Sequence, residues 1–413
     1  MNGKRLGGLV ASLALTLSLS CVQPPRWTAS DEPTPELARV LIETDQPERL
    51  ALVTGPAELP AIPVRERLRP CCAFGSNLRL SAGAVPIPAH RLPNVIGPDQ
   101  LGPHTYDAGI VHRRASGDEE FAINRERNGL VYTCRGGFID TAHVRDYLDW
   151  TAYFGSQLAA AALGSGTREI ALPDEGGSRR VRIGELPPLF GSELLAAVRG
   201  SAEWLAFQLS VWHEIATWYG YESIPGFPEQ ASAFSPEDFY SNLLGTKLAA
   251  VMIQRRSLRT EPLFNHSATQ WIAEALAALR AVPREVGEDA MQALDGVWWN
   301  SQARVSQKEL LLRRSFAIGN PIEPWRVPDA LAPESLRKAC AGATPAPLAN
   351  PDAEHGVRFA SWVMLEIDVD PAILAQPGFP KLGPRITQAD FPAIVAAAHV
   401  QNREEAGPDA DHP

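Results

Sequence analysis

Five segments with helical periodicity, separated by loops rich in proline, constrain the fold of this chain more than any other feature. Apolar residues recur at helical spacing in residues 140–163, 191–221, 235–257, 267–281 and 388–400. The chain has 36 prolines, and they indicate long ordered loops. Hydrophobic residues make up 45% of the sequence, which supports a sizeable core. The fold class we predict is α+β, dominated by helices, with small antiparallel β hairpins.

Three shorter stretches predict the β structure. Apolar runs flank Asn128-Gly129 in FAINRERNGLVYTC, and this dipeptide is typical of a tight hairpin turn. In REIALPDEGGSRRVRIGE, the letters DEGG predict the turn of a second hairpin. The later stretch GVRFASWVMLEIDV predicts a further strand. We therefore expect small antiparallel pieces beside the helices.

The first residues, MNGKRLGGLVASLALTLSLSC, have the plan of a secretory signal. Lys4 and Arg5 precede an apolar run, Leu9 to Leu19, that is too short to span a bilayer. Small residues then lead to Cys21, as in bacterial lipoproteins, whose cysteine is lipidated after cleavage. Simple cleavage without lipidation is the alternative. Because Val22 replaces aspartate after the cysteine, we expect a lipid anchor in the outer membrane and a protein that faces the periplasm.

Composition sets the domain boundaries. Residues 1–20 are the predicted signal peptide, and residues 21–35 are the lipidated cysteine with a polar, proline-bearing tether. We expect one large α+β domain over residues 36–400, with its core motifs in residues 71–257. The charged stretch 401–413 lacks apolar side chains and predicts a disordered acidic tail. The net charge of −10 argues against nucleic acid as a partner.

Four cysteines remain after Cys21, and export keeps them in an oxidising compartment. These are Cys71, Cys72, Cys134 and Cys340, for which three pairings exist. A bond between the neighbours Cys71 and Cys72 would be strained, so we predict that one of them pairs with Cys134. The chain has no C-x-x-C pair, which argues against a cysteine zinc site. A structural disulfide is therefore expected.

The segment VWHEIATWYG begins as the helix of a zinc protease does, with His213 and Glu214. The position four residues after His213 holds Thr217, where such a helix carries its second histidine. Small residues share the helix face of His213, which would let a neighbouring helix or a ligand approach the imidazole. Burial beside aromatic residues would raise the pKa of Glu214, as suits a general base that acts on metal-bound water.

A second histidine, His143, lies on the apolar stripe of the helical segment 140–163. An imidazole in this position is either a hydrogen-bonded core residue or a metal ligand. On another face of the same helix, Arg145 and Asp149 have the i,i+4 spacing of an exposed ion pair.

A third helical segment, FSPEDFYSNLLGTKLA, has a polar stripe on an otherwise apolar helix. Asp238, Ser241, Asn242 and Gly245 share one face, which either faces solvent or lines a polar pocket. Part of this pattern is explained by capping of the helix. With Ser235 as the N-cap, Asp238 is the third helical residue, where an acidic side chain is common.

We therefore predict a zinc site where these three helices meet. Its ligands are His143, His213 and Asp238, and its general base is Glu214. The predicted pocket also contains Arg145, Ser241, Asn242, Trp218 and Tyr219, and the alternative ligands are Glu229, Glu237, His90, His104 and His112. A catalytic protein of this kind would be a hydrolase acting on a peptide or glycan of the envelope. The competing hypothesis is a non-enzymatic structural or binding lipoprotein, in which the polar side chains satisfy one another in a buried network.

The blocks CCAFGSNL, YTCRGGFIDTAHVRDYLDW, HEIATWYG and FSPEDFYSNLLG resemble those of bacterial lipoproteins grouped as domain of unknown function 4056. The resemblance runs from near Cys71 to the end of the third helix. It implies an exported, lipid-anchored protein whose distinctive blocks are these same helices. It implies no particular activity, because none is established for the family, and it leaves metal binding open.

Overall fold

The computed structural model describes most of the chain from residue 33 to residue 407. The described ranges are 33–43, 59–66, 69, 72–82, 85–108, 111–112, 122–123, 126–164, 166–186, 188–223, 228–305 and 307–407. The predicted signal peptide and the lipidation site Cys21 lie outside these ranges, as do Cys71 and the last residues of the predicted tail.

Three long helices pack against one another at the centre of the molecule. They are α2 (Thr141–Ala162), α3 (Gly191–Trp218) and α4 (Asp238–Gln254). Nearly all of their side chains are buried, as is typical of helices that other elements enclose on every side. The other helices of the described chain are α1 (Pro35–Glu43), α5 (Glu261–Ala278), α6 (Arg284–Gln292), α7 (Glu334–Ala339), α8 (Pro371–Leu374) and α9 (Phe391–Ala406).

The helical segments predicted from periodicity are confirmed, although their ends differ. α5 begins six residues before the predicted start, because Thr260 caps it and accepts a hydrogen bond from the Leu263 N–H at 3.4 Å. α9 continues to Ala406, and the Gln401 side chain donates to Glu405 at 3.1 Å within its last turns. The prediction of disorder is therefore wrong for residues 401–406, which are helical.

A four-stranded antiparallel sheet contacts α3 through its strand β11. The strand order is β12–β11–β8–β7, and the members are β7 (Glu169–Leu172), β8 (Gly177–Ile183), β11 (Val363–Val369) and β12 (Arg385–Thr387). The predicted hairpin around DEGG and the predicted late strand are thus confirmed. Two-stranded antiparallel pairs complete the described β structure: β1 (Leu78–Ala82) with β2 (Val85–Leu92), β3 (Val111–His112) with β4 (Ala122–Ile123), β5 (Leu130–Thr133) with β6 (Gly137–Asp140), and β9 (Ala353–Glu354) with β10 (Val357–Arg358). The α+β fold class is confirmed.

The hairpin predicted at Asn128-Gly129 is wrong. A two-residue turn of type I′ needs positive φ at both central residues, and neither Asn128 nor Gly129 has it. Strand β5 pairs instead with β6, through the turn before Gly137, whose φ is +71°. On its other side β5 is held by the Leu130 N–H, which donates to the Asn94 carbonyl oxygen at 2.8 Å.

The disulfide joins Cys134 to Cys340, so the predicted pairing of Cys134 with Cys71 or Cys72 is wrong. Cys134 follows β5 and Cys340 follows α7, and their Cα atoms are 5.1 Å apart, within the range that a disulfide spans. The backbone N–H of Cys72 donates instead to the carboxylate of Asp140 at 3.1 Å. This bond places Cys72 against the start of α2.

Residues Asp31–Pro413 form one compact unit with most of its apolar core around α2, α3 and α4. A second apolar cluster surrounds Phe74, Trp298 and Trp299, and it includes the disulfide cysteine Cys134. None of the described helices combines the length and the apolar character that a bilayer-crossing segment requires.

Candidate metal centre

The crossing of α2 and α4 brings two polar stretches of helix together. Gly245 lies against α2, and a Cβ at this position would be 2.2 Å from the carbonyl oxygen of Val144. Glycine therefore allows the two backbones to touch. Beside the crossing, the N–H of Asp140 donates to Ser241 Oγ at 2.9 Å, and the Asp140 carboxylate caps the first turn of α2. These contacts fix the turn on which His143 stands.

His143 of α2 forms a compact buried group with His213 and Glu214 of α3. One ligand atom from each side chain can be chosen such that all three lie within 4.8 Å of one another. The imidazole centroids are 6.3 Å apart, and the ring planes are inclined by 75°. The three residues are 5%, 6% and 2% exposed. Two imidazoles and a carboxylate at this spacing can hold a metal ion, because zinc draws such atoms to within about 2.0–2.2 Å.

Glu175, in the turn between β7 and β8, holds the ring of His213. Its Oε1 lies 2.5 Å from His213 Nδ1, and its Oε2 pairs with the guanidinium of Arg179. The indole N–H of Trp212 donates to the Glu175 carbonyl oxygen at 2.8 Å, which anchors this turn against α3. A carboxylate on Nδ1 favours a proton there and leaves Nε2 as the nitrogen that binds a metal.

Asp238 lies at ion-pair distance from the imidazole of His143. Its Oδ1 lies 3.0 Å from His143 Nδ1, and Asp140 Oδ2 lies 3.6 Å from the same nitrogen. The other oxygen of Asp238 accepts a hydrogen bond from the Ser235 N–H at 2.8 Å, which fixes the carboxylate at the start of α4. Each histidine of the group therefore faces a carboxylate through Nδ1, an arrangement that orients metal-binding imidazoles.

The carboxylate of Glu214 is only half satisfied. Its Oε2 accepts a hydrogen bond from the Phe234 N–H at 2.7 Å, whereas its Oε1 is buried and has no hydrogen-bond partner among the described residues. Burial and the charge of Asp238 raise the pKa of Glu214 to about 8, against the opposing effect of His213 and His143. A cation between this oxygen and the two imidazoles would satisfy the group.

The geometry changes the predicted roles of two carboxylates. The sequence predicts Asp238 as a ligand and Glu214 as the base, but Glu214 lies in the three-residue group and Asp238 lies behind His143. Thr217 is buried, and its hydroxyl has no partner among the described residues. Sequence reasoning missed Glu175, because a DEGG turn is typical of an exposed hairpin. The only signal in the sequence that could have indicated Glu175 was the predicted hairpin itself, whose turn contains this residue.

The alternative ligands have other contacts. Glu237 accepts a hydrogen bond from the Ser235 hydroxyl at 2.6 Å, and Glu229 accepts one from the hydroxyl of Ser223. His104 belongs to a separate network, described below. The side chains of His90 and His112 lie outside what the structure describes.

Four of the five predicted pocket residues form two pairs. Ser241 contacts α2, as described above, and the amide of Asn242 is buried with both polar atoms unpartnered among the described residues. Trp218 and Tyr219 pack in the core, where the indole N–H donates to Gln401 at 3.2 Å and the phenol donates to a backbone carbonyl at 3.2 Å. This second pair ties α3 to the C-terminal part of the chain.

The exposed ion pair predicted between Arg145 and Asp149 is wrong, because other parts of the chain cover this face of α2. Arg145 is 1% exposed and Asp149 is fully buried. The Arg145 guanidinium lies 3.3 Å from Glu126, and that of Arg69 lies 2.9 Å from Asp149. We name this network the arginine–carboxylate cluster, and its members are Arg65, Arg69, His104, Glu126, Arg145, Asp146 and Asp149.

The carboxylates of the arginine–carboxylate cluster lie at hydrogen-bond distance from guanidinium groups. Arg69 lies 2.6 Å from Glu126 and 2.7 Å from Asp146, and Arg65 lies 2.6 Å from Asp146. Burial alone would raise the pKa of Glu126, but Arg69 outweighs burial and lowers it. The pKa of Asp149 is lowered in the same way, because His104 and Arg69 outweigh burial. The cluster therefore joins distant segments to α2 with its charges paired.

The fold and site together define an α+β protein with a buried candidate metal centre of two histidines and a glutamate. Residues 59–328 match the model of a family described as a protein of unknown function, DUF4056. Since the match covers more than half of the chain, the chain belongs to this family, as the sequence blocks indicated. The matched region contains the whole candidate centre. Neither the curated proteins nor the solved structures include a match to the chain.

Proposed function

We propose that this protein is a zinc-binding lipoprotein of the bacterial envelope, in which His143, His213 and Glu214 are the protein ligands. The observation that supports it most is the unpartnered, buried Oε1 of Glu214 beside two imidazoles that face carboxylates through Nδ1. A buried polar atom without a partner costs free energy unless a ligand satisfies it. Two carboxylate-oriented imidazoles make that ligand a cation rather than a hydrogen-bond donor.

Zinc fits this donor set better than the common hard cations. Calcium and magnesium prefer six or more oxygen ligands, whereas zinc takes imidazole nitrogen and carboxylate oxygen in a tetrahedral arrangement. Copper, iron and nickel also accept imidazole, so the identity of the metal is a direct outcome of the experiment below.

The proposed activity is hydrolysis of an envelope substrate. Zinc held by three protein ligands keeps one position for water and lowers the pKa of that water to about 7. Asp238 and Glu175 would hold the two imidazoles in place during the reaction. Because each ligand residue is at most 6% exposed, an extended peptide or glycan suits the centre better than a folded protein.

The proposed location rests on the N-terminal sequence alone. The basic start, the short apolar run and Cys21 favour export and a lipid anchor at the outer membrane. The membrane is then a partner through the lipid, and the domain faces the periplasm.

Metal content tests the proposal. Elemental analysis of the mature chain, purified without chelator or metal-affinity tag, should give about one zinc per chain, as a single set of three protein ligands requires. His213→Ala should lose this zinc and remain folded by circular dichroism. His266→Ala is the matched control, because His266 is exposed on α5. Equal zinc in the wild type and in His213→Ala, or none in either after a zinc soak, would contradict the proposal.

Hydrolysis is tested separately from binding. The zinc-loaded wild type should cleave a member of a panel of envelope peptides and glycans, and the chelator-treated protein should not. Zinc that binds without any turnover across the panel would leave the metal centre intact and reject the hydrolase.

A further inference from the structure

A cavity of about 460 Å³ lies between the segment 296–314 and the last turns of α9. Its charged and amide lining consists of Lys308, Glu309, Arg313, Arg314, Asn402 and Glu405. Three cations face two carboxylates there, so the lining has an excess of positive charge. This distinguishes the cavity from the molecule as a whole, whose net charge is −10.

Arg314 is the buried cation of this cavity. It is 1% exposed, and its guanidinium donates to the backbone carbonyl oxygens of Ala233, Ala231 and Lys308. These bonds use three of its five N–H groups and fix the plane of the guanidinium. Among the described residues, no carboxylate lies within ion-pair distance of it. A positive charge is therefore held rigidly at the cavity without a close counter-charge.

Distant groups compensate the charge of Arg314 only in part. Burial lowers the pKa of Arg314 to about 10, and the carboxylates that oppose this effect are Asp238, Glu214 and Glu405. The first two belong to the candidate metal centre and its surroundings. A buried charge of this kind is costly unless a partner of opposite charge comes close.

Asn402 adds an unpartnered donor to the same lining. Asn402 is 4% exposed, and its Nδ2 is buried with no hydrogen-bond partner among the described residues. Lys308 is held nearby, since its ammonium lies 4.1 Å from the centroid of the Trp218 ring and pairs with Glu405. A fixed guanidinium beside an amide N–H is the donor set that recognises phosphate and carboxylate groups.

We propose that this cavity binds an oxyanion, the phosphate or carboxylate group of a small soluble ligand, with Arg314 and Asn402 as its principal donors. Arg313 and Lys308 raise the local concentration of anions at the cavity. The site does not require a metal at His143, His213 and Glu214, so it stands or falls independently of the proposed zinc centre.

Calorimetric titration of the mature chain tests this site, with inorganic phosphate in one arm and citrate in the other. At least one of them should bind saturably with a Kd of about 1 mM or tighter. Asn402→Leu and Arg313→Gln should each weaken that binding by about tenfold or more, because each removes a donor or a charge from the lining. Arg403→Gln is the matched control, since Arg403 is exposed on α9 next to Asn402 and is not part of the lining.

A repeat on His213→Ala separates this site from the metal centre, because anions also bind zinc. Retained binding in that variant supports the cavity, and lost binding assigns the anion to the metal and overturns the proposal. Arg314→Lys, checked for folding by circular dichroism, should weaken binding in the same direction as Arg313→Gln. The absence of saturable binding in both arms, or an equal loss in Arg403→Gln, would also overturn the proposal.

Discussion

The two buried polar regions that include residues of α2 differ in how completely their carboxylates are satisfied. In the arginine–carboxylate cluster, Glu126 and Asp146 each lie 2.6 Å from a guanidinium and Asp149 lies 2.9 Å from one. In the group of His143, His213 and Glu214, one carboxylate oxygen of Glu214 is buried and has no hydrogen-bond partner among the described residues. A network with paired charges supports the fold, whereas a group with a missing partner retains the capacity to bind one.

The carboxyl groups of the two regions also differ in their protonation. Neighbouring cations lower the pKa of Glu126 and Asp149, so these carboxylates are ionised at neutral pH. Burial and the charge of Asp238 raise the pKa of Glu214 to about 8, so this carboxyl is mostly protonated at neutral pH in the metal-free protein. A buried carboxyl with a raised pKa, such as that of Glu214, is more characteristic of a functional site than of a structural network.

The largest expected effect is on stability, from Arg69→Met in the arginine–carboxylate cluster. The free energy of unfolding should fall by about 3–5 kcal/mol, because Glu126 and Asp149 lose a cation that they share. Urea denaturation at neutral pH measures this loss. Arg182→Met is the matched control: its ion pairs with Glu366 are half-exposed, and the expected loss is below about 1 kcal/mol. Similar losses in the two variants would show that the cluster is not a structural network.

An intermediate effect is expected on metal affinity, from the carboxylates that face the imidazoles. Glu175→Gln and Asp238→Asn should each weaken zinc binding by about 10–100-fold, because the charge that orients the ring is lost. Competition with a chromogenic chelator measures the affinity. Glu366→Gln changes a carboxylate of the sheet and should leave zinc affinity unaltered. Wild-type affinity in both of the first two variants would show that these carboxylates do not support a metal centre.

A third effect is expected on the pH dependence of stability in the metal-free protein. Between about pH 5 and pH 8 the folded state retains a proton on Glu214 that the unfolded chain has released, so stability from this group decreases as pH rises through that window. The pH dependence from the arginine–carboxylate cluster has the opposite sign. Glu126 and Asp149 contribute stability at neutral pH, and this contribution is lost as pH falls below their ordinary pKa values of about 4.

Glu214→Gln isolates the first of these two contributions. In the presence of chelator, the decrease in stability between about pH 5 and pH 8 should be smaller in this variant than in the wild type, while the decrease in acid remains. Burial also raises the pKa of Glu237 and of Asp140, so part of the decrease should persist. An identical pH profile in the variant and the wild type would mean that Glu214 titrates normally.

The sequence predicted the elements of the centre better than their arrangement. Helical periodicity is local, and it was sufficient to place His143 and His213 on two long buried helices. The contact between Glu175 and His213 spans 38 positions and depends on where a hairpin turn packs, which no local pattern encodes. The positions of Asp238 behind His143 and of Glu214 beside the two imidazoles have the same origin, because side-chain direction follows from packing.

Contacts between segments that are distant in sequence also explain the wrong predictions. The i,i+4 spacing of Arg145 and Asp149 is correct for a helix, but it cannot show that another segment, containing Arg69, covers that face. Cys134 and Cys340 are 206 positions apart, so their proximity arises only from the packing of β5 and α7. Local patterns thus predict the elements, and contacts between distant segments decide burial and pairing.

X-ray absorption spectroscopy of the zinc-loaded protein tests the proposed metal centre most directly. We expect a coordination sphere of two imidazole nitrogens, one carboxylate oxygen and one water oxygen, at about 2.0–2.2 Å. In His143→Ala, one imidazole contribution should disappear. Sulfur at about 2.3 Å, as expected for a cysteine such as Cys72, or a spectrum without imidazole scattering, would contradict a centre built from His143, His213 and Glu214.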